Sequence, residues 1–252
     1  MKYAFYGKYH EEDKQKITFL DYDEGNPDIV FSFGGDGTML GAIHKYINCS
    51  DHVKFIGIKT GSLGFFTDFE YHEFNQAIAL IQQNECKENK YNLLKFVFKN
   101  TNHQEIGYAV NEVSIVNPIH TQIIEVFIDD KLFEVFRGTG LLVSPPTGST
   151  AYNKSLGGSI IDPKIEAFQL TEFAAINNTV YNAISSPIIL SKGTKLTLKT
   201  KESANIYLSV DGIEHKFANL TEIEVSLAEK RVNIISKKDT IFWDRVKKAF
   251  LR

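Results

Sequence analysis

The stretch "VFSFGGDGTML", residues 30–40, sets a run of apolar residues against a glycine turn holding one acid, Asp36, followed by the start of a helical pattern. A strand passing through such a turn into a helix leaves backbone N–H groups and the positive end of the helix dipole facing outward, where an anion fits. Gly34, Gly35 and Gly37 let a phosphate approach the main chain and tolerate positive φ, while Thr38 adds a hydroxyl. A carboxylate in a phosphate cradle repels its ligand unless it accepts a proton or holds a metal ion, so Asp36 reads as catalytic. The competing reading is a plain Asp-Gly turn. Neither common nucleotide fingerprint is met: there is no GxxxxGK[ST], and Leu40 stands where GxGxxG requires its third glycine.

Outward from this turn the pattern is αβ alternation. "DIVFSF" and "VKFIGI" read as strands, Met39, Ile43 and Ile47 share one helix face, and Phe74, Ala77, Ile78 and Ile81 share another. Parallel strands with helical crossovers follow. Near residue 90 the period changes to two, through "LLKFVF", "AVNEVSIV", "IIEVFI", "KLFEVF", "KLTLK", "NIYLSV" and "EIEVSL", with hairpin signals at Asp129-Asp130 and Asp211-Gly212. One helix is expected within "KIEAFQLTEFAAINN", bounded by Pro163 and the Asn pair. The fold class is therefore an α/β N-terminal domain, residues 1–90, and a β-rich, mostly antiparallel C-terminal domain, residues 91–236, α+β overall. Residues 237–252 form a short amphipathic segment able to dock back on the N-terminal domain.

The 252 residues carry 28 basic and 31 acidic side chains, interspersed, so no field draws in a polyanion and a dedicated nucleic-acid binder is disfavoured. No apolar run reaches the length of a membrane span, the start lacks a secretory pattern, and the two cysteines have neither metal-ligand spacing nor disulfide density. A cytoplasmic protein without membrane partners is expected.

Three further constellations carry chemistry. Asn111 and Glu112 break an alternating strand with a donor-acceptor amide beside an acceptor, a pair suited to adjacent ribose hydroxyls or to a solvated strand end. The stretch 136–163 is dense in Gly, Ser, Thr and Pro: Thr150 and Ser155 offer hydroxyls, Ala151 bare backbone, Tyr152 a ring for stacking on a base, and Arg137 a grip for phosphate. Between them "KTGSLGFFTDF" ends a strand in consecutive aromatics, Phe65 and Phe66, which cannot both face inward on a regular strand. One of them is free to close over a ligand.

Taken in order, "GGDGT", "TGSLGFF", "NE" and "PTGSTAY" resemble the NAD kinase family over most of the chain, from about residue 26 onward. "GGDGT" alone is shared with lipid kinases and phosphofructokinases, whereas "PTGSTAY" with "NE" is specific. The resemblance implies transfer of the terminal phosphoryl of ATP to the 2′-hydroxyl of the adenosine ribose of NAD. Asp36 would be the general base and Gly37 would line the site. Phe65 would lie near the adenine, and Asn111 and Glu112 would hold the nucleotide. Thr150, Ala151, Tyr152 and Ser155 would complete the pocket, with a backbone contact from Ala174. It further implies Mg²⁺ brought with ATP, and a homodimer or homotetramer. Thr139, in "RGTG", stands where relatives often carry an acid, and Pro145 where Thr is common. The rival readings are a lipid or sugar kinase sharing the glycine turn, and a catalytically silent NAD(P)-binding sensor.

Overall fold

The computed structural model describes residues 1–61, 64–200 and 206–251; Ser62 and Leu63 of the "TGSLGFF" motif and the first residue of "NIYLSV" lie outside them. The chain forms two compact units, one of residues 1–91 with 230–252 and one of residues 92–229.

In the first unit the elements run β1 (Lys2–Gly7), β2 (Asp21–Tyr22), β3 (Ile29–Phe33), α1 (Asp36–Lys45), β4 (Lys54–Lys59), β5 (Phe69–Glu70) and α2 (Phe74–Gln82). The pairings among β1 to β5 are parallel, in the order β2-β1-β3-β4, with β5 joined to the end of β4. Parallel strands with crossovers are buried on both faces, and all five residues of β3 are buried. Phe5, Phe31, Phe33 and Phe74 fill this core edge to face, with Phe31 and Phe74 centroids 5.5 Å apart. On α1 Met39 and Ile43 are buried as expected, together with Leu40 and Ala42, whereas Ile47 lies beyond the helix in a 3₁₀ turn and is not fully buried.

The strand β6 (Lys87–Lys99) leads into the second unit. There follow β7 (Gln104–Ala109), β8 (Val113–Val116), β9 (Gln122–Ile128), β10 (Lys131–Gly138) and β11 (Gly140–Ser144). A 3₁₀ turn at Pro146–Thr150 leads to α3 (Tyr152–Ser155), then β12 (Ala167–Phe173), β13 (Ile188–Ser191), β14 (Leu196–Thr200), β15 (Tyr207–Val210) and β16 (Ile213–His215). The strand β17 (Glu222–Ser236) returns the chain to the first unit, where Asn233–Ile235 extend its sheet alongside β4. The helix α4 (Phe242–Phe250) ends the chain's regular structure.

Within the second unit the strands are antiparallel, in the order β13-β12-β11-β8-β15-β16 on one sheet and β10-β9-β14-β17 on the other. The inward residues of both sheets, among them Phe98, Phe136, Leu141, Phe168 and Leu208, form one core. Both hairpin signals fold as read: Asp129 and Asp130 adopt φ of 48° and 63°, and Asp211 and Gly212 adopt 51° and 77°. These are the left-handed conformations a two-residue hairpin turn demands.

The helix expected within residues 164–178 is absent, and β12 occupies its centre. β12 lies between β11 and β13, and Ala167, Phe168, Gln169, Leu170 and Thr171 are all buried, so the period-2 signal is lost. The two polar residues that disguised it are satisfied internally. Gln169 exchanges hydrogen bonds with the Ser159 backbone, and Thr171 donates to Asn153 Oδ1 at 2.7 Å.

Candidate active site

The site residues read from the sequence fall into two groups, one in each unit. In the first unit Gly34 donates its N–H to the Ile58 carbonyl at 2.9 Å, tying the glycine turn to the end of β4. None of Gly34, Gly35 and Gly37 has positive φ, so the expectation that they serve left-handed backbone is corrected. A Cβ on Gly34 would lie 2.1 Å from Thr38 Oγ1, so close approach requires glycine there. At Gly35 and Gly37 a Cβ would meet nothing within 4 Å. These two positions leave the backbone at the α1 N-terminus open, as an anion cradle requires.

Asp36 is the first residue of α1 and is partly buried. Its carboxylate is not loose in a turn: Oδ2 accepts the Phe65 N–H at 2.8 Å and Oδ1 the Phe66 N–H at 2.9 Å. A Cβ on Gly64 would stand 2.4 Å from Oδ1, so that glycine makes room for the acid. Each oxygen keeps a lone pair for another donor. Phe66 is buried, while Phe65 is half-buried with its ring 5.9 Å from that of Phe250 and 6.3 Å from that of Phe242. Only one of the two aromatics thus enters the core.

In the second unit Asn111 and Glu112 form the corner between β7 and β8. Asp211, read in the sequence only as a hairpin residue, is the keystone of this corner. Its carboxylate accepts the N–H groups of Val110, Asn111 and Glu112, the Asn111 bond being 2.6 Å long. The carbonyls are held from the other side, Asn111's by Ser144 Oγ at 2.9 Å and Val110's by the Thr147 hydroxyl. Gly148 packs on the same peptide, since a Cβ there would lie 1.7 Å from the Asn111 oxygen.

With the backbone held, the two side chains remain incompletely partnered. Asn111 Oδ1 and Glu112 Oε2 are buried without a hydrogen-bond partner. Glu112 is 5% exposed, which overturns the solvated strand end as its explanation. Burial, assisted by the nearby negative charge of Asp211, pushes the Glu112 carboxyl up to about 7. Buried acceptors left open cost free energy, and a donor from a ligand would recover it.

The remaining residues surround the turn at Pro146–Thr150. Thr150 is buried and Ala151 partly so, whereas Ser155 is exposed. Tyr152 is 48% exposed, its ring edge-on to Phe173 at 5.4 Å, leaving area free for stacking. Ala174, next to Phe173, is exposed and holds φ of 42°, a strained value for a residue with a Cβ. The Thr139 N–H bonds the Phe173 carbonyl at 3.0 Å, and the Ile176 N–H bonds the Arg137 carbonyl at 2.7 Å, so Arg137, Thr139, Tyr152 and Ala174 are neighbours. The Arg137 guanidinium rests 4.3 Å above the Tyr181 ring and donates to the Val135 carbonyl. Sequence reasoning missed Asp211 and Arg245, a residue of α4 that bonds the Phe65 carbonyl. Neither has a local signal, because their partners lie about 100 and 180 positions away.

Known proteins agree with this architecture. The structure superposes on an Archaeoglobus fulgidus NAD kinase in complex with ATP at a TM-score of 0.76, 20% identity, spanning 99% of this chain and 97% of that one. On yeast NADH kinase complexed with NADH the TM-score is 0.79 at 24% identity, over 92% of this chain and 69% of the other. By fold the chain is thus of the two-domain, α/β plus antiparallel β class that these kinases define. At the level of sequence, residues 6–86 match the ATP-NAD kinase N-terminal domain and residues 110–237 the ATP-NAD kinase C-terminal domain. An NAD kinase of Latilactobacillus sakei is 39% identical over 91% of this chain and 86% of its own length. One from Streptococcus pneumoniae is 41% identical over 96% and 90%. The chain belongs to the ATP-NAD kinase family.

Proposed function

We propose that this chain transfers the terminal phosphoryl of ATP to the 2′-hydroxyl of the adenosine ribose of NAD, making NADP, with Asp36 as general base. The observation that carries the reading is the Asp36 carboxylate, oriented by two backbone N–H groups beside an open helix N-terminus. The ribose oxygen attacks the terminal phosphorus, the bond to the bridging oxygen breaks, ADP leaves and the hydroxyl proton passes to Asp36. Such a transfer needs positioning and charge neutralisation more than covalent help from the protein.

Gly34, Gly35, Gly37 and Thr38 receive the triphosphate. Among the described residues no group of three or more His, Cys, Asp or Glu side chains is placed to hold a metal ion. Mg²⁺ enters with the substrate as MgATP, where it neutralises phosphate charge. Asn111 and Glu112 accept hydroxyls of the NAD ribose, as their open buried acceptors suggest. Tyr152 stacks on a base, and Phe65, Arg137, Thr139, Thr150, Ala151, Ser155 and Ala174 supply the remaining contacts.

Among the described residues no helix is long and apolar enough to cross a membrane. We place the protein in the cytoplasm as a homodimer or homotetramer. Incubation with ATP, Mg²⁺ and NAD, followed by detection of NADP with an NADP-specific dehydrogenase, tests the reading. NADP formation is the expected result; tight NAD binding without NADP would instead identify a silent sensor.

A further inference from the structure

The helix α4 lies within the segment, residues 237–252, that the sequence marks as amphipathic and able to dock back on the N-terminal domain. Its residues Phe242, Val246 and Phe250 are spaced four apart, and so lie on one face. Val246 is buried, while Phe242 and Phe250 flank the Phe65 ring. Arg245 is beside them, its side chain only 12% exposed. Its Nη1 donates to the Phe65 carbonyl oxygen at 2.6 Å, and its Nη2 pairs with Asp68 Oδ2 at 2.6 Å. Burial pushes the Asp68 carboxyl above its ordinary range, and the guanidinium opposes that shift.

The Phe65 carbonyl and the Phe66 N–H belong to one peptide group. That N–H is the donor to Asp36 Oδ1, so a single peptide plane links the guanidinium to the carboxylate. A charged donor on a carbonyl polarises the amide and strengthens its N–H as a donor. It also fixes the plane: were this peptide to rotate, the Phe66 N–H would leave Asp36 and the Arg245 bond would break with it.

We infer that Arg245 is a positioning residue for phosphoryl transfer, acting on Asp36 through the Phe65–Phe66 peptide, so that docking of the C-terminal helix sets the orientation of the base. The inference rests on the reading of Asp36 as general base. It gives α4 a part in turnover as well as in packing, because the ring contacts and the guanidinium converge on Phe65 and Asp68.

The test uses the full chain. Replacing Arg245 alone strands the Asp68 carboxylate, so the informative variant is Arg245→Ala/Asp68→Asn, with Asp68→Asn as its reference and Arg245→Lys as the conservative partner. Relative to that reference, loss of the guanidinium lowers kcat roughly tenfold or more, the scale of a charge-assisted hydrogen bond, while KM for NAD moves little. Arg245→Lys and millimolar guanidinium added to the Ala variant each restore part of the turnover. In an Asp36→Asn background the same replacement brings no further loss, since its effect passes through that carboxylate. Equal losses in both backgrounds, or an unchanged kcat with Asp36→Asn inactive, would overturn the inference while leaving the base in place. Full turnover of Asp36→Asn alone would instead sink the base assignment, whatever Arg245 does.

Discussion

Two acids, one in each unit, are built in opposite ways. Asp36 sits in the first unit with both oxygens bonded to main-chain N–H groups, its position fixed before any ligand arrives. Glu112 sits in the second with Oε2 buried and open, beside another carboxylate and an Asn111 oxygen that is equally unpartnered. A base must be oriented in advance because misplacement by an ångström costs rate. A binding acceptor gains when its partner is the ligand itself, since the cost of leaving it open is removed on binding. The difference between the two environments is the one expected between the base and the binding acceptor proposed above.

The most direct way to break this contrast is Asp36→Asn. General-base catalysis typically contributes about 10²- to 10⁴-fold, so the variant should lose roughly 3 to 5 kcal/mol of transition-state stabilisation, read as kcat. Retention of near-normal turnover would erase the distinction between the acids.

Glu112 is probed by pH. Its carboxyl titrates at 4.5 without burial and at about 7 when folded, so the folded state binds the proton more tightly. The associated stability is fully present below 4.5 and is lost as pH climbs through about 7. Denaturant unfolding of the ligand-free protein should show a decline of about 3 kcal/mol across that window from this group, removed in Glu112→Gln. On the proposed ribose contact, in which a hydroxyl donates to the ionised form, NAD affinity should rise across the same range in the parent protein and stay flat in the variant.

Two glycines sharpen the comparison further. Gly64→Ala places a Cβ against Asp36 and Gly148→Ala places one against the Asn111 carbonyl, at 2.4 and 1.7 Å. Overpacking of this kind costs about 1 to 3 kcal/mol of stability in either unit. Their kinetics should differ: the first lowers kcat by roughly 10- to 100-fold, and the second acts mainly on KM for NAD. Initial-rate measurements across NAD concentration separate the two. The smallest effect belongs to Ala174→Gly, which relieves the strain at φ of 42° and should stabilise the protein by roughly 0.5 kcal/mol in thermal or denaturant unfolding.

Much of this molecule is written locally. The passage from β3 through the glycine turn to α1, the faces of α1 and α2, and the two Asp-led hairpins each depend on a few adjacent residues, whose apolar spacing and turn chemistry are visible in the chain. The segment at Ala167–Phe173 hides its strand character because burial on both faces erases alternation, and the partners that satisfy Gln169 and Thr171 are 10 and 18 positions away.

The motifs around Asp36, Asn111, Glu112 and Tyr152 could therefore be picked out from residue type and order alone. Tertiary structure decided what each one faces: which N–H groups hold Asp36, that Glu112 is buried and open, that Asp211 anchors its corner, and that Arg245 reaches the Phe65 peptide. Turns and helix faces are set by torsions and spacing over a few residues, whereas a carboxylate's partners and its distance from water exist only after segments up to 180 positions apart have packed together.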